Sequence, residues 1–224
     1  MQNIFKKIKP SFMGILCTLI LFSGCEKSEQ KKAPENKNKD PLKQQFEQWK
    51  SQQDPKLLNE YYEFMTQYLK HPPSLMELTT TRNYMPEQCY SKRFAIPPKK
   101  YWENVVGSLK LVEKLNQNDF YQHYTITAIY RNPELNQCVK GALRSKHLYN
   151  YAVDFHVLAP KETDQKAREG LVKKMCQFWQ KEGKIFKMGL GVYGNNRYHI
   201  DTQGYRTWGK DYKSSSSPCL KTTK

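Results

Sequence analysis

The sequence predicts an α+β domain, on three observations. Apolar residues recur at helical spacing over Leu42 to Leu69, Trp102 to Val112 and Ala167 to Phe178. Two runs, Tyr124 to Tyr130 and Ala152 to Val157, are β-branched and aromatic, and the second alternates with period two. A glycine-containing alternating segment, "KIFKMGLGVYGNNRYHIDTQGYRTW", follows the last helical stripe. No internal repeat divides the stretch from Pro41 to Gly209, so a single domain is expected.

The first element is not part of that domain. Lys6, Lys7 and Lys9 precede an uncharged run from Phe12 to Phe22, too short to span a bilayer of roughly 30 Å. A basic start, a short apolar stretch and the small residues Ser23 and Gly24 read as a signal peptide over residues 1–24. "LFSGC" resembles the lipobox of bacterial lipoproteins, with Phe22 where leucine is usual. Cys25 is therefore the expected lipidation site, and a lipid anchor there the expected tie to a membrane. Glu26 lacks the aspartate that resemblance associates with inner-membrane retention, so an outer-membrane protein facing the periplasm is expected. Residues 25–41 carry Ala33 as their only aliphatic side chain and read as a disordered tether able to reach about 50 Å.

The chain carries 37 basic and 21 acidic residues, a formal charge of +16. Without the signal peptide 34 basic residues remain, for +13. An export signal and the lack of a nucleic-acid motif exclude nucleic acid as partner and favour anionic envelope polymers or lipid headgroups. Cys89, Cys138, Cys176 and Cys219 remain in an oxidising compartment, spaced too widely for a CxxC zinc site. Two disulfides in any of three pairings are expected.

Within residues 42–93, an N-terminal helical extension, Leu42, Phe46 and Trp49 form one stripe. Asp54-Pro55 opens a second helix carrying Leu58, Tyr61, Met65 and Leu69, which Pro72-Pro73 ends. A further helix begins at Pro98 and presents Trp102, Val105, Val106, Leu109 and Val112 to a sheet. "YTITAIY" forms a strand that delivers Arg131 at its end, and "RNPELN" turns into a short helix. In the next strand Ala152, Asp154 and His156 face away from Val153, Phe155 and Val157. Thr163 or Asp164 caps the last helix, which Gly183 stops. Gly194 and Asn195 bend a pair of strands that place His199 and Asp201 on one side. Residues 210–224 read as a flexible tail, pinned only if Cys219 is bonded.

A hydrolytic zinc ion takes three protein ligands and leaves a position to water. His147, Asp154 and His199 are of the right types, although each alone reads as an ordinary surface, ion-paired or core residue. Together with their surroundings they resemble the D-Ala-D-Ala carboxypeptidase, or M15, family. Ser145, His147, Ala152 and Asp154 match its SxHxxGxAxD segment, with Asn150 at the glycine. "AIYRNPELNQCVKGALRSKH" is similar to SGYRxPxxNxxVGGAxxSxH, with Ala128 for serine and Lys140 for the first of the paired glycines. "GLGVYGNNRYHIDTQGYRTW" is similar to GxGxYxxxxFVHxDxGxxRxW. The resemblance covers residues 94–209.

That resemblance implies a small, mostly antiparallel sheet with helices on one face and a metal cleft on the other. It implies one Zn2+ per chain on His147, Asp154 and His199, and peptidoglycan stem peptides as substrates of a carboxypeptidase or cross-link endopeptidase. A non-catalytic peptidoglycan-binding lipoprotein is the alternative. Arg131 is expected to clamp a substrate carboxylate or stabilise the oxyanion, and Ser145 to bind substrate or orient His147. The family's catalytic glutamate is replaced by Asn196. Asp201 is the first candidate for general base and His156 the second, while Arg206 and Trp208 are expected to hold their strand.

Overall fold

Asp40 and Asp54 open the two N-terminal helices. Each carboxylate accepts a hydrogen bond from a backbone N–H two residues on, Leu42 at 3.0 Å and Lys56 at 2.9 Å, and each is followed by a proline at the first helical position. The computed structural model describes residues 40–81, 83–117, 123–158 and 165–221. The expected signal peptide, Cys25 and tether lie outside them, as do Thr163 and Asp164. Helix α1 runs Pro41–Lys50 and α2 Pro55–Tyr68. Helix α2 ends ahead of Pro72-Pro73, because Leu69 turns extended and is itself buried. A short helix α3, Leu75–Thr79, starts from a reciprocal capping box between Ser74 and Glu77.

The segment after Pro98 forms two tight 3₁₀ turns before helix α4, Val106–Gln117, begins. Trp102 fixes this approach by donating its indole N–H to the Pro97 carbonyl at 2.9 Å. Strand β1, Tyr124–Ala128, leads to α5, Pro133–Cys138, and then to β2, Ala152–Val157. Helix α6, Gln165–Glu182, precedes β3, Gly189–Val192, β4, Arg197–Asp201, and β5, Arg206–Trp208. Among the described residues no helix is long and apolar enough to cross a membrane.

The five strands form one sheet in the order β1-β2-β4-β3-β5, antiparallel except for the parallel β3–β5 pair. Directly paired residues share a face of a sheet. Val153 pairs with Ile200, and Leu190 with both Ile200 and Thr207, which defines an inner face. On it Ile126, Val153, Phe155, Leu190, Val192, Tyr198 and Ile200 are buried against α4, α6 and residues of α2. Each such side chain contributes roughly 1.5 to 3 kcal/mol by leaving water. Tyr61 and Met65 of α2 are fully buried in this same cluster. Helix α2 of the expected N-terminal extension thus packs into the same core as the sheet.

Two disulfides join the sequence-distant parts, Cys89 to Cys138 and Cys176 to Cys219. The second meets the condition under which the tail is expected to be pinned, for the described residues up to Lys221. Cys219 is held to α6, Thr207 and Ser217 share a buried hydroxyl contact of 2.7 Å, and 3₁₀ turns span Ser214–Ser216 and Pro218–Leu220. A serine-rich composition concealed a segment that the covalent bond and burial tie down.

Candidate metal centre

The other face of the sheet is polar, and its register assembles a site. Asp154 on β2 pairs with His199 on β4, and His199 with Gly191 on β3. Gly191 in turn pairs with Trp208 on β5, so one row of side chains crosses four strands. His147 joins this row from a 3₁₀ turn, Lys146–Tyr149. That turn ends at Asn150 with φ of 59°, a left-handed conformation that glycine or asparagine adopts at low cost. The Asn150 amide also donates to the Tyr101 carbonyl at 2.9 Å. Asparagine thus meets the backbone requirement that glycine meets in the motif.

One ligand atom each from His147, Asp154 and His199 lie within 4.8 Å of one another. His147 Nδ1 is 2.6 Å from the Ile129 carbonyl, which only accepts, so Nδ1 carries the proton. Its Nε2 then offers a lone pair 3.2 Å from Asp154 Oδ1. His199 Nε2 lies 3.0 Å from the Asp201 carboxylate and must likewise donate. That leaves His199 Nδ1, 2.8 Å from the same Asp154 Oδ1, as the second inward nitrogen. In the neutral tautomers these bonds dictate, two imidazole lone pairs and a carboxylate converge. Such a set repels itself unless a cation lies among it, and its donor types suit zinc.

The electrostatics carry the same message. Burial lowers the pKa of His147, against the opposing charge of Asp154. Burial also acts to lower that of His199, but hydrogen bonds and charge from Asp154 and Asp201 outweigh it and raise it to about 9. Burial works against the Asp154 carboxylate too, yet the two imidazoles hold it well below the usual range. A proton on His199 is one cation that meets this need.

Behind the three inward atoms stands a ring of supports. Asp201 is fully buried and accepts from His199 Nε2, from both terminal nitrogens of Arg206 at 3.0 and 2.6 Å, and from the Gln203 N–H at 2.8 Å. It faces the ring edge of His199 that points away from the cluster. Asp201, expected as a general base, has both oxygens engaged by Arg206 and meets His199 on the nitrogen opposite Asp154, the arrangement of a carboxylate that orients a ligand histidine. Asn83 donates to Asp154 Oδ2 at 3.0 Å, fixing which oxygen faces inward. Sequence reasoning missed Asn83, since a lone asparagine in a polar turn carries no periodic or motif signal. Trp208, whose ring centroid is 5.1 Å from that of His199, donates its indole N–H to the Tyr193 hydroxyl at 3.0 Å. A Cβ on Gly191 would approach Trp208 Nε1 to 2.8 Å, so this close indole approach requires glycine.

Arg131 follows β1 and its backbone N–H donates to the His147 carbonyl at 3.1 Å. Its charge reaches the His147 ring, and its buried Nε has no protein partner. Gly141 is retained because a Cβ there would strike Asn136 and press on Arg131. Ser145 is half-buried at the start of the His147 turn and makes no capping hydrogen bond through its side chain. His156 shares the Asp154 face, two residues further along β2 and opposite Arg197. Asn196 is buried at φ of 54°, and its carbonyl accepts from the Val157 N–H at 3.0 Å.

Neither a curated protein nor a solved structure matches the chain. The description of a known family, Peptidase M15, does match it over residues 78–201, more than half of its 224 residues. The match begins upstream of residue 94, before Asn83, and ends at Asp201, so it takes in Arg131, Ser145, all three inward-facing ligand candidates and two of their supports. By this match, the chain belongs to the Peptidase M15 family.

Proposed function

We propose that this peptidase is zinc-dependent and hydrolyses amide bonds in peptidoglycan stem peptides, as a carboxypeptidase or cross-link endopeptidase, from a lipid anchor at Cys25 in the outer membrane. The observation that carries the zinc assignment is the convergence of His147 Nε2, Asp154 Oδ1 and His199 Nδ1, with both distal imidazole nitrogens hydrogen-bonded outward. The ion, when bound there, supplies a water of lowered pKa and polarises the scissile carbonyl.

The chain's own residues do the rest. Arg131 lies beside His147 with an unpartnered buried Nε and suits a substrate carboxylate, as the C-terminus of a stem peptide presents. Asp201 and Asn83 hold two ligands in orientation before substrate arrives. With Asp201 engaged by Arg206 and His199, we assign proton transfer to His156, which shares the Asp154 face two residues further along β2.

A binding lipoprotein is the second reading, favoured by the buried, left-handed Asn196 where the motif has its catalytic glutamate. To separate the two, the chain from Glu26 onward is incubated with muropeptides and zinc beside His199→Ala, with products identified by mass. Hydrolysis that disappears in His199→Ala together with its zinc is the expected outcome, and the product masses name the bond. A parent that binds zinc tightly and cleaves nothing would instead support the binding reading.

A further inference from the structure

Tyr193 has no part in the chemistry described so far, yet its placement is tightly specified. It directly follows β3, two residues beyond Gly191, and so projects from the same sheet face as His199. Its backbone N–H donates to the Arg197 carbonyl at 2.9 Å, which closes the β3–β4 hairpin and fixes where the side chain starts. Trp208, packed beside His199, donates its indole N–H to the phenol oxygen at 3.0 Å. Indole only donates, so this bond fills an acceptor position on the phenol and leaves its proton to be given elsewhere. On its other side the ring of Tyr212 packs at 5.6 Å, while Tyr212 itself is 76% exposed and forms an outer wall.

The charged groups of the site also act on the phenol. Burial first, and then the charge of Asp154, raise its pKa, while the charge of Arg131 acts in the opposite direction. The hydroxyl therefore lies within the field of both a ligand candidate and the guanidinium, and stays protonated across the physiological range. A neutral donor held by Trp208 beside His199 is what a carbonyl oxygen needs as it gains negative charge.

We propose that Tyr193 is a further catalytic residue, whose O–H donates to the carbonyl oxygen of the scissile amide and holds it more strongly as charge develops there. The inference rests on the peptidase reading. In the step it assists, the oxygen of water bonds to the carbonyl carbon and the π pair moves onto the carbonyl oxygen. That pair returns as the C–N bond breaks, and both protons of the water end on the released amine, leaving a carboxylate. Tyr193 keeps its own proton throughout.

Tyr193→Phe removes one hydroxyl and keeps the ring. In the zinc-loaded protein it is expected to lower kcat by about 10²- to 10³-fold, the usual loss of one oxyanion donor, with KM changed less than about threefold. Zinc content is expected to match the parent. A second readout needs no turnover: dimethylphosphinate, a tetrahedral anion, is titrated into the zinc-loaded protein and followed by ³¹P NMR, and the variant is expected to bind it at least about tenfold more weakly. Trp208→Phe supplies the control for structural damage, since the double variant should be no worse than Tyr193→Phe alone if the indole acts through the phenol. Unchanged kcat with unchanged phosphinate affinity overturns the proposal, as does zinc loss in Tyr193→Phe. A parent without turnover would defeat the peptidase reading only; phosphinate affinity would then still decide the role of Tyr193.

Discussion

Asp201 shows how one side chain's role is decided by which edge of a ring it touches. It meets His199 at Nε2, opposite the nitrogen that faces Asp154, and Arg206 holds both of its oxygens. Asp201→Asn keeps the size but leaves an amide that donates as well as accepts, which disturbs the His199 tautomer. Zinc affinity is expected to fall about 10- to 100-fold, with activity recovered as zinc is raised. A competition titration against a chelating dye measures this; unaltered affinity with a lost rate at saturating zinc would return Asp201 to the role of base. The sequence placed His199 and Asp201 on one side of a strand, because period two is legible. It could not show that Arg206 closes on Asp201 from across a turn, since the chain path between them is a tertiary fact.

Positive-φ residues mark where elements stop in this protein. Asn150 and Lys140 both stand where the motif has glycine, and both are left-handed, at φ of 59° and 52°. Asn150 is suited to that conformation and is anchored by its amide. Lys140, exposed just after α5, has only its Cβ strain. Lys140→Gly should therefore stabilise the fold by about 0.5 to 1 kcal/mol, relief of left-handed strain outweighing the added freedom of the unfolded chain. Urea unfolding measures it, and a loss of stability would mean the lysine side chain contributes more than its backbone costs. Departures that looked like erosion of the motif are thus backbone positions whose geometry is retained. Helix existence was equally legible, from stripes and caps. The burial of α2 in the main core was not, because an amphipathic stripe shows that a face is covered but not by what.

At the scale of the molecule, the site couples stability to protons and, on the proposed zinc assignment, to metal. One sheet face is apolar and builds the core, while the opposite face gathers buried ionisable groups whose cost must be met by a cation. Without metal that cation is the proton on His199. Its folded pKa of about 9 lies above the ordinary 6.5, so this proton stabilises the fold fully below about pH 6.5, and the contribution is lost as pH rises through about 9. On the proposed zinc assignment, the ion would replace that proton and remove the dependence, and its affinity would grow with pH as less competition remains. Chelated protein should accordingly melt several degrees lower at pH 9 than at pH 6.5, while the gap between zinc-loaded and chelated melting temperatures widens over the same interval. Calorimetry at the two pH values, with zinc in fixed excess, reads both quantities. A gap that stays constant would mean that the metal does not bind where the His199 proton sits. The three-residue constellation would then be an ion-pair network, and the zinc assignment would fall while the family membership and the fold stand.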